Sequence, residues 1–82
     1  MKPAILKAAI LEILSERDEP VPERYIKLAL AVQYGIKVTL TDLKDALSKL
    51  EATKLIAGTS DNDDVIFWDI SPAGKLKLGQ LR

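Results

Sequence analysis

The chain contains no cysteine and no histidine. Without thiols there is no disulfide framework and no thiolate nucleophile. Without imidazole there is neither a conventional catalytic triad nor a typical zinc site. Glycine is sparse, and none of it is grouped into a phosphate-binding loop. No uninterrupted apolar run is long enough to cross a bilayer. Residues 1–14 are apolar, but Lys7 and Glu12 interrupt them and no small-residue cleavage site follows, so they read as a helix and not as a signal peptide. Neither sign of charge is in excess. Twelve basic residues cancel twelve acidic ones, so no global field draws the protein to nucleic acid or to a membrane. The expectation is a cytoplasmic, non-enzymatic protein with no cofactor and no metal, built as one domain over its 82 residues.

What is present is helical patterning, strongest in residues 38–58. Leu40, Leu43, Ala46, Leu47 and Leu50 recur at helical spacing and form one apolar stripe. Thr39 is placed to cap the first turn, with Asp42 three residues on, and Val38 and Leu43 occupy the staple positions around that cap. This third helix is expected over about 40–53. A first helix is expected over about 3–15, with Leu6, Ala9, Ile10, Ile13 and Leu14 on one face. Leu11 falls opposite that face. It is either a lone exposed apolar residue or a sign that helix 1 is covered on a second side. A second helix, about 22–34, opens at Pro22 and stops at Gly35. Tyr25, Ile26, Ala29 and Val32 are expected to line its inner face, with Leu28 and Leu30 at the edges. So short a turn between helices 2 and 3 implies a steep crossing, as in a helix-turn-helix.

Two strands follow, about 54–59 and 65–70, joined by the polar loop S-D-N-D-D. Trp68, alternating with Ile66 and Ile70, should pack onto the helices. Ser71-Pro72 supplies a cap and a first-turn proline for a short fourth helix, about 72–81.

Two motifs carry a resemblance. L-S-K-L-E-A-T-K-L-I-A-G, residues 47–58, resembles the end of a recognition helix and the first wing strand of winged-helix regulators of the MarR-like and PadR-like kind. W-D-I-S-P-A-G-K, residues 68–75, resembles the close of their wing. In the family pattern a glycine precedes the apolar pair that starts the strand; here Lys54 stands in its place before Leu55 and Ile56. The resemblance implies an α+β fold: a small winged helix, with a three-helix bundle, a two-stranded hairpin wing and a short C-terminal helix.

It also implies double-stranded DNA as partner, with helix 3 in the major groove. On that helix Thr41, Lys44, Ser48 and Lys49 face outward, and Arg24, Lys27 and Lys37 on helix 2 and its turn add basic support. Asp42, Asp45 and Glu51 offset the lysines over the same stretch, and no arginine, asparagine or glutamine is available there for bidentate base reading. Lys75, Lys77 and Arg82 close the chain with no acid among them. A homodimer would use helix 1 and the C-terminal segment. The competing expectation is a protein-contact module that binds no DNA and uses Leu11 or the acidic wing tip, Asp61, Asp63 and Asp64. Those aspartates stand where a phosphate-binding wing would be basic. With Asn62 they resemble part of a calcium loop, but Ile66 and Pro72 occupy the positions that need glycine and glutamate.

Overall fold

In the computed structural model, residues 3–17, 19–61 and 63–81 are described. Arg82 and Asn62, which figure in the basic C-terminus and the calcium-loop comparison, lie outside them. The elements run α1 (Pro3–Ser15), β1 (Val21–Pro22), α2 (Glu23–Tyr34), α3 (Leu40–Ala52), β2 (Ile56–Ser60), β3 (Ile66–Ile70) and α4 (Pro72–Leu81).

Helix α1 is the centre of the bundle and meets α2, α3, α4 and β3. Leu6, Ala9, Ile10, Leu11, Ile13 and Leu14 are all buried along it. Leu11 is therefore core, at 1% exposure, and offers no contact surface. The physical reason is that a helix packed by neighbours on several sides needs more than one apolar stripe.

The sheet has a third strand besides the hairpin. The order is β1-β3-β2, with Val21 opposite Trp68 and Pro22 opposite Phe67. Val21 lies between two prolines. The one that follows it biases Val21 toward extended backbone, and an edge strand tolerates Pro22, which has no N–H to give. Pro22 thus sits outside α2, as its extended N-cap.

Helix α2 is rotated from the expected face. Ile26, Ala29 and Leu30 are buried, whereas Val32 is 74% exposed. It ends at Gly35, whose φ of +65° is the left-handed conformation that glycine adopts without strain. The amide of Ile36 then donates to the carbonyl of Leu30 at 2.9 Å, and Ile36 enters the core.

Helix α3 is fixed at both ends. The amide of Asp42 donates to the Thr39 hydroxyl at 3.1 Å. At the far end the amide of Leu55 donates to the Leu50 carbonyl at 3.0 Å and that of Lys54 to the Glu51 carbonyl at 2.9 Å. These are the two bonds of a Schellman cap. Lys54 occupies its left-handed position, with φ +64°, where glycine is usual. Lys54 and Leu55 therefore close the helix, and β2 begins at Ile56.

Ser71 then ties α4 to this corner. Its amide donates to the Leu55 carbonyl at 3.0 Å and its hydroxyl to the Lys54 carbonyl at 2.6 Å. The same hydroxyl accepts from the amide of Gly74 at 3.0 Å, capping α4. Gly74 is buried there, and a Cβ on it would overlap the Leu55 carbonyl oxygen. The second motif is thus a joint between helix and sheet.

Candidate nucleic-acid interface

With Leu43, Ala46, Leu47 and Leu50 buried, α3 turns Thr41, Lys44, Asp45, Ser48, Lys49 and Ala52 outward, and all six are exposed. Leu40, expected in the apolar stripe, is 50% exposed. It lies in the first turn, at the rim of a cleft of about 360 Å³ formed by the start of α2, α3 and the wing.

That cleft brings Arg24 and Lys44 to one place, beside Leu40, Ile66 and Asp64. An expected wing acid and two expected phosphate ligands thus share a site. Glu23 also lines it, and its Oε1 is buried with no hydrogen-bond partner. Lys27 and Lys37 are exposed but do not line the cleft. Lys49 is engaged otherwise: its ammonium is 3.0 Å from Asp45 Oδ2, one helical turn back. Glu51 is drawn toward the sheet, where its Oε2 accepts from the amide of Gly58 at 3.2 Å.

The wing tip is organised by Asp61. Its Oδ1 accepts from the amides of Asp63 at 2.8 Å and Val65 at 3.0 Å, an aspartate turn that shapes the loop. Asp63 and Asp64 are exposed, and Asp64 has a φ of +61°. Among the described residues no cluster of acidic side chains is arranged to hold a metal.

Two further grooves went unread in the sequence. One, of about 630 Å³, runs along β1 and α2, where the Arg17 guanidinium lies 5.0 Å from the Tyr25 ring centre and bonds Glu19 at 3.2 Å. Leu28, 62% exposed, and Phe67 complete it. The second is apolar and joins Ile5 and Ala8 to Tyr34, Leu78 and Leu81. Exposed apolar residues on adjoining elements were the available signal, but no sequence period links them. Among the described residues no helix is long and apolar enough to cross a membrane.

No protein-family model and no curated protein matches the chain. Solved structures do. The RosR structure of H. salinarum is 21% identical, with a TM-score of 0.82 over 92% of this chain and 66% of that one. A PadR-like transcription factor from Bacteroides fragilis is 19% identical, with a TM-score of 0.80 over 96% and 78%. The transcriptional regulator BldR from Sulfolobus solfataricus is 31% identical, with a TM-score of 0.71 over 93% and 50%. The chain is a winged helix, similar in fold to PadR-like and MarR-family regulators. It spans about two thirds of the RosR chain and half of BldR.

Proposed function

We propose that this winged helix is a DNA-binding transcriptional regulator that sets α3 in the major groove. Thr41 and Ser48 face base edges or phosphates from the exposed ridge, and Arg24 and Lys44 clamp a phosphate at its edge. The observation that carries this reading is the meeting of Arg24 and Lys44 beside an exposed helix face, in a fold shared with solved regulators. Net charge is zero, and Glu23 and Asp64 offset Arg24 and Lys44 within the cleft, so binding needs basic residues outside it as well. Lys27 and Lys37 add longer-range attraction. The protein acts in the cytoplasm, and we assign it no catalytic role.

One such domain reads few base pairs, so two copies bind together. The exposed Leu76 and Leu81 of α4, with Ile5 at the start of α1, supply the apolar surface for that homodimer. The second reading, protein contact without DNA, loses Leu11 and rests on Asp61, Asp63 and Asp64.

Fluorescence anisotropy of a labelled generic duplex separates the two. The regulator reading predicts non-specific binding at roughly 10⁻⁴ to 10⁻⁶ M that collapses as salt rises to about 200 mM. No binding at low salt sinks it and moves attention to the wing.

A further inference from the structure

At the centre of the outward ridge of α3, Asp45 holds Lys49 at 3.0 Å, and both side chains are more than half exposed. Under the major-groove reading, on which this inference rests, the pair sits where bases pass. A carboxylate there is repelled by phosphates and loses water; Lys49 neutralises it at Oδ2, and a groove donor can replace the water lost elsewhere on it. The other acids of α3 lie off the ridge, Asp42 in the capped first turn and Glu51 against Gly58.

The amino donors of the major groove are cytosine N4 and adenine N6, and aspartate pairs characteristically with the former. Lys49, already held beside the carboxylate, needs an acceptor one step away, and the strongest are guanine O6 and N7. A C·G pair presents that donor and those acceptors side by side. With no arginine, asparagine or glutamine on α3, no conventional bidentate reader competes for the position. We propose that the Asp45–Lys49 ion pair reads a C·G base pair, with Asp45 accepting from cytosine N4 and Lys49 donating to guanine O6.

Selection from a randomised duplex pool, followed by anisotropy on the selected duplex, tests this. The wild-type chain is expected to retain one C·G pair and to lose about 5- to 100-fold in affinity when T·A replaces it. Asp45→Asn changes an exposed side chain, so the fold is kept; a matching circular dichroism spectrum checks this. Its amide suits adenine N6 and N7, so the variant should lose the penalty and prefer A·T at that position. A selected site without such a pair, or a penalty unchanged in Asp45→Asn, overturns the inference while DNA binding itself stands. No duplex binding at low salt overturns both.

Discussion

Gly74→Ala adds one methyl group at the joint between α4 and the sheet. That carbon would overlap the Leu55 carbonyl oxygen and stand 2.7 Å from Ile70 Cγ1. Relief requires α4 to move by about 0.8 Å or more, since ordinary carbon contacts begin near 3.5 Å. Yet Ser71 anchors α4 through bonds to the Leu55 and Lys54 carbonyls. Overpacking costs about 1–3 kcal/mol, and straining these two bonds adds about 1 kcal/mol each. Alanine recovers at most about 1 kcal/mol as the better helix former. The net is a loss of roughly 2–4 kcal/mol, a large part of the roughly 4–12 kcal/mol expected for a chain of this length. Urea unfolding followed by the fluorescence of buried Trp68 should show the midpoint fall by at least about 1 M. The control lies in the same helix. Gly79 has nothing within 4 Å of an added Cβ, so Gly79→Ala should raise stability by about 0.5–1 kcal/mol. Equal effects at the two sites, or a neutral Gly74→Ala, would refute the joint.

Lys54→Gly should be neutral or stabilise by up to about 1 kcal/mol, because it relieves a left-handed non-glycine residue; Lys54→Val should destabilise, and urea unfolding reads both. On α2, Leu30→Ala should cost about 2–5 kcal/mol. Val32→Lys should stay within about 0.5 kcal/mol in the same assay, since Val32 faces water. Exchanged magnitudes would mean that the face of α2 is assigned wrongly. Arg24→Glu and Lys44→Glu should each weaken binding to duplexes of any sequence. Each should also lower the slope of log affinity against log salt by about 1, as for the loss of one phosphate contact. A sequence-dependent loss would place these residues at base edges instead.

Much of the fold was legible because local chemistry specifies it. Thr39, Gly35 and Ser71 each mark a helix end by capping physics, and all three act at helix ends in the structure. What periodicity leaves open is rotation. When apolar residues cover a wide arc, as on α1 and α2, neighbouring elements decide which of them is buried. Leu11 and Leu30 are therefore core, while Val32 and Leu40 are exposed. Strand β1 was invisible for another reason: two residues carry no period, and its partner lies more than 40 positions away at Phe67 and Trp68.

The candidate site divides in the same way. The outward face of α3 follows from its own spacing, and Thr41, Lys44, Ser48 and Lys49 are all exposed on it. That Arg24 and Lys44 line one cleft, together with Glu23 and Asp64, depends on how three elements meet. The neutralisation of Lys49 by Asp45 was written in their spacing of four residues.

In the proposed complex α3 and the start of α2 face DNA. Titrating ¹⁵N-labelled protein with a short duplex at low salt tests it residue by residue. Amide shift changes should concentrate at Arg24, Thr41, Lys44, Asp45, Ser48 and Lys49 and fade as salt is added. Changes centred on Asp63 and Asp64 alone, or on Ile5 and Leu81, or none at all, would contradict it.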